Sequence, residues 1–200
     1  FFNSVNVTNT NVNSSALNVG NANNGIQIRN NSLAINGGYA LYRNNAFASA
    51  SDSCNYNNYY TTGANLAYFN FGVRTNLAAL KTVTGRDAKS ISATPIYLSA
   101  TDLHSSSPDM YQAGIAISGI TKDIDDENRH ATNPCIGADE YNFSTTNIVR
   151  MISINSHALE VQTPASPTSA VTFKFRNNSG TTLTNANFKL RVNGVEVNTL

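Results

Sequence analysis

The first third of the chain repeats a short alternating pattern that is rich in asparagine. The segments "VNVTN" (5–9), "IQIRN" (26–30) and "CNYNN" (54–58) share the order apolar, polar, apolar, polar, Asn. They begin 21 and 28 residues apart, and "ALNV" at Ala16 returns 24 residues later as "ALYR" at Ala40. Glycine and asparagine separate the segments, so each is predicted to be a short strand that ends in a tight turn.

A period of about 20 to 30 residues, made of strands and turns without helices, is typical of a parallel β-helix. The predicted fold class is therefore all-β. Of the 31 asparagines, 20 precede residue 77, and asparagine tolerates the turn conformations that such coils need. Asn9, Asn30 and Asn58 end the repeated segments, which makes them candidates for a ladder of stacked side-chain amides. The alternative is that they are ordinary turn residues.

The repeat weakens after Tyr59, and a different pattern follows. "TNLAALKTVTG" (75–85) predicts a short amphipathic helix that Thr75 or Asn76 caps and Gly85 ends. "SISATPIYLS" (90–99) alternates as a strand does. We therefore predict loops and one short helix around the last coils.

Six of the twelve acidic residues lie in "KDIDDENRHATNPCIGADEY" (122–141). Asp123, Asp125 and Glu127 alternate as ligands of a calcium loop do, and calcium prefers carboxylate oxygens. The EF-hand loop is excluded because Asn128 and Pro134 stand where that loop needs Gly and Glu. An irregular calcium site stays open as one interpretation, and no other cofactor is predicted.

The same segment can be explained without a metal. Arg129 can pair with Asp123, Asp125 or Asp139. "PCIGADEY" (134–141) can then run as a last strand that covers the open end of the coils, whose strand edges need protection. We favour this structural closure, which would use the side chains of Asp123, Asp125, Arg129, Asp139 and Glu140.

Three longer stretches resemble a known family. "CNYNNYY" (54–60), "NLAALKTVTGRDAKSISATPIYLSATDLH" (76–104) and "AGIAISGITKDIDDENRHATNPCIGADEY" (113–141) resemble, in this order, the C-terminal end of right-handed parallel β-helix proteins of the pectate-lyase-like superfamily. More narrowly, they are similar to large secreted bacterial surface proteins. The family pattern has Gly at Asp126 and often Pro at Asn128, so the turn departs from it here. The resemblance implies a β-helix over residues 1–142 and a secreted, cell-surface location.

The composition changes after Tyr141. "NIVRMISINS", "ALEVQT", "SAVTFKFRNNSG" and "NFKLRVNGVEV" alternate as strands, and Pro164, Pro167, "NNSG" and "NG" mark turns. The segment resembles the first half of the immunoglobulin-like sandwich that often follows such β-helices. Because a full sandwich needs about 100 residues, we predict an incomplete immunoglobulin-like domain over 148–200. We expect the chain to be a fragment that begins within a longer helix.

Charge, hydropathy and cysteine content narrow the possible functions. Charged residues make up 12% of the chain and the formal net charge is +1, so no nucleic-acid partner is predicted. No apolar run reaches the roughly 20 residues that span a bilayer, so membrane insertion is not predicted. Cys54 and Cys135 lack the spacing of a zinc or redox site. We expect two buried thiols, with one disulfide as the alternative, and the sequence indicates no oligomeric state.

No catalytic residue is predicted in this chain. Asp52 is the only acidic residue in 1–70, and together with Arg29 and Arg43 it cannot supply the two carboxylates that glycoside hydrolysis needs. The three histidines lie in no recognised nucleophile motif, and His104 is interpreted as structural. The resemblance leaves one enzymatic alternative: the chain would be the C-terminal part of a polysaccharide lyase or glycoside hydrolase whose catalytic coils lie upstream.

Tyrosines on outward strand faces indicate a carbohydrate-binding surface, since a tyrosine ring presents a flat apolar face and a polar hydroxyl. The candidates are Tyr39, Tyr42, Tyr56, Tyr59 and Tyr60, and Tyr68 follows the same pattern. The alternative is that half or more of them anchor the core. The predicted function is thus a non-enzymatic secreted or cell-surface module for adhesion, display or contact with a polysaccharide or cell-surface glycan.

Overall fold

The structure, a computed structural model, describes residues 1–20 and 25–142 and, beyond them, four strands. The chain divides into two compact units, Phe1–Asn142 and Phe143–Leu200. In its described residues the first unit holds one helix, α1 (Leu77–Thr84). Its strands are β1 (Ser4–Val7), β2 (Ser15–Asn18), β3 (Gln27–Arg29), β4 (Ser32–Ile35), β5 (Tyr39–Arg43), β6 (Ser53–Asn55), β7 (Asn58–Thr61), β8 (Ala67–Phe69) and β9 (Val73–Arg74). The regular secondary structure of the described residues is mostly strand with little helix, as the all-β prediction requires.

The strands of the first unit stack in parallel at intervals of one repeat. β1, β4 and β7 form the first sheet, and β3 and β6 form the third. β2, β5 and β8 form the second sheet, to which β9 adds an antiparallel edge. Paired residues are 24 to 28 positions apart, as in Leu17–Leu41 and Val5–Leu33. The chain therefore returns to each sheet once per repeat.

The register confirms one sequence alignment and corrects another. Leu17 pairs with Leu41, so "ALNV" and "ALYR" are true structural repeats. "VNVTN" and "IQIRN", however, lie in different sheets: Val5 pairs with Leu33 in the first, and Ile28 pairs with Cys54 in the third. Each repeat contains several alternating strands, so a five-residue pattern does not determine which of them it matches.

The inward side chains of all three sheets meet in one core. The core residues include Ile28, Leu33, Leu41, Cys54, Tyr59, Ala67 and Leu80, each of them 6% exposed or less. Full burial of a leucine contributes roughly 1.5–3 kcal/mol, so this aligned core is the main source of stability for strands of only two to five residues.

An asparagine ladder runs along the repeats. Oδ1 of Asn57 accepts hydrogen bonds from the backbone N (3.0 Å) and Nδ2 (2.9 Å) of Asn31. Oδ1 of Asn31 accepts the same two bonds from Asn3. At the far end, the backbone N–H of Asn57 donates to Ser90 Oγ at 3.0 Å, and Ser90 ends the ladder.

The ladder does not use the asparagines that the sequence predicted. Asn30 binds the backbone of Ile115 through its amide, and Asn58 binds that of Ala93. Asn9 accepts a bond from the backbone N–H of Asn11 in a turn. Asn30 and Asn58 are each one residue away from a ladder member. A shift of one residue turns a side chain to the opposite face of a strand, which explains the error.

The predicted helix is confirmed in its position and caps. Oδ1 of Asn76 accepts a hydrogen bond from the Ala79 backbone N–H at 2.9 Å, which identifies Asn76 rather than Thr75 as the N-cap. Gly85 ends the helix at φ 61°, a conformation that favours glycine, and its N–H donates to Lys81. Leu80 is fully buried and joins the helix to the core.

Residues 93–141, which we call the side segment, form turns and isolated bridges instead of strands. Hydrogen bonds of 2.7–3.0 Å join this segment to Ser4, Ser32 and Asn58. These three residues are register partners across β1, β4 and β7. The side segment thus covers one face of the first sheet from the last repeat back to the first.

The prediction that "PCIGADEY" runs as a last strand is wrong, whereas the loops predicted after Tyr59 are confirmed. Ile96 interrupts "SISATPIYLS" at φ 47°, and Gly137 interrupts "PCIGADEY" at φ 109°, values outside the extended region. "PCIGADEY" also lies beside the stacked strands instead of over their end, because the Gly137 N–H donates to Asn30 O at 2.8 Å. Near the start of "SISATPIYLS", Ile91 forms an isolated parallel bridge with Asn58 of β7.

The second unit is described through its strands β10 (Val149–Asn155), β11 (Thr172–Asn177), β12 (Lys189–Val192) and β13 (Val195–Thr199). β10 pairs with β11 and β12 pairs with β13, both antiparallel. The turns predicted at Pro164, Pro167, "NNSG" and "NG" lie wholly or partly outside the described residues. In the part of the chain that the structure describes, no helix has the length and hydropathy to cross a membrane.

Candidate functional site

Three tyrosines form the wall of a surface cleft on the second sheet, which we call the tyrosine cleft. The rings of Tyr42 and Tyr68 are stacked, with centroids 5.0 Å apart and planes at 13°. The Tyr39 ring lies 5.8 Å from Tyr42 and 5.9 Å from Tyr68, tilted by 56° and 66°. The cleft has a volume of about 300 Å³. Its remaining lining residues are Asn13, Ser15 and Asn18.

The parallel register explains why these residues meet. Tyr42 on β5 pairs with Tyr68 on β8 and with Asn18 on β2, while Ser15 pairs with Tyr39. Register partners in neighbouring strands place their side chains side by side. The match of "ALNV" to "ALYR" already aligns Asn18 with Tyr42, so Asn18 could have been predicted from the sequence.

The other predicted tyrosines do not belong to this cleft. Tyr59 is fully buried, so its prediction as a sugar contact is wrong. Its hydroxyl lies 2.9 Å from Cys54 Sγ and donates to Asp87 Oδ1 at 3.1 Å. Burial in this apolar core raises the pKa of the Tyr59 hydroxyl. Tyr56 and Tyr60 are half-buried and lie away from the cleft lining.

The residues predicted as calcium ligands are bonded to the segment itself. Oδ1 of Asp123 accepts hydrogen bonds from the backbone N–H groups of Asp125 (2.9 Å) and Glu127 (2.8 Å). Oδ2 accepts from the Glu140 N–H at 2.9 Å. Among the described residues, Asp123, Asp125 and Glu127 do not bring three ligand atoms to one point. The structure thus uses Asp123 as the centre of a turn, an arrangement that does not fit a calcium ion held by these three residues.

Arg129 is the buried cation of the closure network, but its partner differs from the three predicted aspartates. Its Nη1 lies 3.5 Å from Oε2 of Glu140. Nε and Nη2 donate to the carbonyls of Lys122 (3.1 Å) and Ala138 (2.7 Å). The guanidinium also stands 4.0 Å over the Phe2 ring, a cation–π contact. Burial lowers the pKa of Arg129.

A histidine joins two loops of the side segment. Nδ1 of His104 lies 2.5 Å from Asp102 Oδ1, and Nε2 lies 2.6 Å from Asp125 Oδ2. Hydrogen bonds to Asp102, which has the larger effect, and to Asp125 raise the pKa of His104 to about 9, so the ring is an imidazolium at neutral pH. Ligand atoms of His104, Asp125 and Asp139 lie within 4.8 Å of one another. A protonated ring between carboxylates accounts for that proximity without a metal ion.

The dispersed charges of residues 1–70 that the sequence singled out are engaged in structural bonds. Asp52 accepts hydrogen bonds from the backbone N–H groups of Ser49 and Ile26, which lower its pKa. Arg43 is fully buried, and Arg29 Nε donates to Ser53 Oγ at 3.0 Å. The charge of Arg43 also contributes to lowering the pKa of Asp52.

Cys54 and Cys135 are both free thiols and both are buried, as predicted. Desolvation raises the pKa of each thiol, for Cys135 to about 11. They are therefore inert side chains of the interior at neutral pH.

Comparison with known proteins adds no further assignment. No protein-family model, no curated protein and no solved structure matches this chain.

Proposed function

We propose that this chain is a non-enzymatic module of a secreted or cell-surface protein, and that it contacts glycans through the tyrosine cleft. Residues 1–142 are proposed as the last coils of a right-handed parallel β-helix of the pectate-lyase-like kind. Residues 148–200 are proposed as part of an immunoglobulin-like sandwich.

The pairing pattern supports the proposed fold. Three parallel sheets with a spacing of 24 to 28 residues, together with a ladder of asparagines, are what stacked coils produce. The antiparallel pairs β10–β11 and β12–β13 suit a sandwich, which is built from antiparallel strands.

The tyrosine cleft is the observation that carries the glycan proposal. Tyr39, Tyr42 and Tyr68 are half-buried, so part of each ring faces solvent while the sheet holds its base. A sugar ring stacked on such rings costs little ordering of the protein, because the aromatic side chains have few rotatable bonds and are already packed together.

A non-enzymatic role is supported by the bonding of Asp52, the only acidic residue in 1–70. Both carboxylate oxygens of Asp52 accept backbone hydrogen bonds, which leaves this group to hold a turn. The fold alone does not decide the role, since one architecture hosts both enzymes and binding modules.

A glycan array probed with the full chain tests the proposal. We expect bound glycans whose signal falls about tenfold in Tyr42→Ala, because loss of aromatic stacking and buried area costs about 1.4 kcal/mol or more. Tyr60→Ala, which removes a half-buried tyrosine outside the cleft, is the control and keeps the signal. Equal loss in both variants, or no bound glycan, contradicts the proposed surface. Cleavage of a polyuronate by the full-length protein contradicts the non-enzymatic role.

A further inference from the structure

The lining of the tyrosine cleft indicates which glycans it accepts, an inference that rests on the function proposed above. Besides the three phenols, the lining side chains are those of Asn13, Ser15 and Asn18. Thus none of the described residues that line the cleft carries a charge at neutral pH. A uronate carboxylate entering it would lose hydration and find no cationic partner, which is unfavourable.

The cation nearest along the strand is not available to a ligand. Arg43 follows Tyr42 on β5 but is fully buried. Its three nitrogens donate to the carbonyls of Gly20 (2.8 Å), Asn45 (3.1 Å) and Ala46 (3.3 Å). The guanidinium therefore binds the backbone of the segments next to β5, and its charge cannot pair directly with an acidic sugar.

The polar groups of the cleft instead suit hydroxyl groups. An amide offers both donors and acceptors, and a serine hydroxyl does the same, which matches the mixed character of sugar hydroxyls. The side chains of Asn13, Ser15 and Asn18 make no hydrogen bond to any other residue that the structure describes. With a volume of about 300 Å³, the cleft lies at the lower end of the roughly 300–1,000 Å³ of ligand sites. It has room for one or two sugar rings.

We propose that the tyrosine cleft binds uncharged saccharides, with a sugar ring against Tyr42 and Tyr68 and its hydroxyls on Asn18 and Ser15, and that it discriminates against uronates. Calcium bridging of an acidic sugar is not part of this site, because the described lining contains no carboxylate.

Titration of the full chain with neutral tetrasaccharides and with tetragalacturonate tests the proposal. The chain has nine tyrosines and no tryptophan, so tyrosine emission reports binding directly. We expect the best of the glucose, galactose, mannose and xylose tetramers to bind about tenfold or more tightly than tetragalacturonate, and Tyr68→Ala to abolish the difference. If tetragalacturonate binds as tightly through the same tyrosines, the neutral-sugar inference fails while the proposed function stands. If no saccharide binds through them, both fail.

A charge-gain variant tests the reason for the discrimination. Asn18→Lys places an ammonium group at the cleft and is expected to raise the affinity for tetragalacturonate about tenfold relative to the neutral tetramer. Asn36→Lys adds the same charge at an exposed position outside the cleft and should change neither affinity. An equal gain in both variants, or none in Asn18→Lys, contradicts the proposed origin of the preference.

Discussion

At the scale of single residues, the stability of this protein depends on buried polar side chains. Asn57 is fully buried, and its side chain and backbone together bind Asn31, Ile28 and Ser90. An unpaired buried polar group costs about 1–3 kcal/mol. Asn31 and Asn57 of the ladder therefore each accept the hydrogen bonds of a neighbouring member, and loss of one member leaves several polar groups without hydrogen-bond partners.

The substitution Asn57→Ala tests this dependence. It removes the acceptor for two donors of Asn31 and the donor to Ile28 O, so we expect the free energy of unfolding to fall by about 3 kcal/mol or more. Urea denaturation measures the change. Asn36→Ala, at an exposed asparagine whose amide donates one bond to Thr8 O, is the matched control and should change stability by less than about 0.5 kcal/mol. Similar losses in both variants contradict a special role for the ladder.

The imidazolium of His104 predicts a dependence of stability on pH. Its pKa in the folded chain is about 9 and its ordinary value is 6.5, so the folded state binds the proton more tightly than the unfolded state. The stability contributed by His104 is therefore fully present below pH 6.5, declines as pH rises between these values, and is lost above about 9. The difference in free energy of unfolding between the protein and His104→Gln should decrease over that range.

A direct titration of the ring by NMR provides the control. Asp102→Asn and Asp125→Asn each remove one of the carboxylates that contact it, and each should lower the pKa of His104. A midpoint near 6.5 in the unmodified protein would contradict the bridge between the two loops.

At the scale of elements, the sequence predicted best the structures that interactions between neighbouring residues form. The helix α1 carries its own start and stop signals: the sequence predicted Gly85 as its end and Thr75 or Asn76 as its cap, and the structure selects Asn76. The repeat of "ALNV" was also found because identical inward residues occupy the same place in successive repeats. These features depend on residues that are neighbours in the chain or in the repeat.

What the sequence did not reveal depends on distant partners. The side segment binds the stacked strands through bonds such as that of the Ala138 N–H to Ser4 Oγ, which joins residues 134 positions apart. No periodicity encodes such a bond, and the alternation of "PCIGADEY" favoured a strand instead. The tyrosine cleft was half predicted: Tyr39 and Tyr42 belong to it, whereas Tyr59 lies inside the core.

The caps of α1 give a prediction at this scale. Asn76→Ala removes the acceptor for the Ala79 N–H and should reduce the free energy of unfolding by about 1 kcal/mol. Thr75→Ala changes the preceding, exposed residue and serves as the control with almost no effect. Urea midpoints distinguish the two variants. A larger loss of stability in Thr75→Ala than in Asn76→Ala would contradict Asn76 as the N-cap.

At the scale of the whole molecule, the charged groups of the acidic segment (122–141) join distant parts of the chain. Asp123 binds three backbone N–H groups, and Arg129 binds Glu140 and stands over Phe2 at the start of the chain. These hydrogen bonds and the ion pair order the acidic segment. Its position beside the first repeat makes it a side cover, whereas the sequence indicated a lid over the end.

Removal of metal ions tests this account. We expect the same Tm in EDTA and in excess calcium, since the carboxylate oxygens of Asp123 are already satisfied by N–H donors. Differential scanning calorimetry of the full chain measures it. Asp123→Asn should lower Tm under both conditions, because the amide cannot accept all three hydrogen bonds. A calcium-dependent rise in Tm that Asp123→Asn abolishes would restore the calcium interpretation.

The two buried thiols have a consequence for how the protein opens. Cys54 lies in the core of the stacked strands and Cys135 in the side segment, so each can react with a maleimide only while its own surroundings are transiently exposed. Their separate alkylation rates, each divided by the rate of the same thiol in the unfolded chain, then measure two local opening equilibria in one experiment. Equal ratios would indicate that the strands and the side segment unfold as a single cooperative unit, and a larger ratio at Cys135 would indicate that the side segment detaches while the strands stay packed.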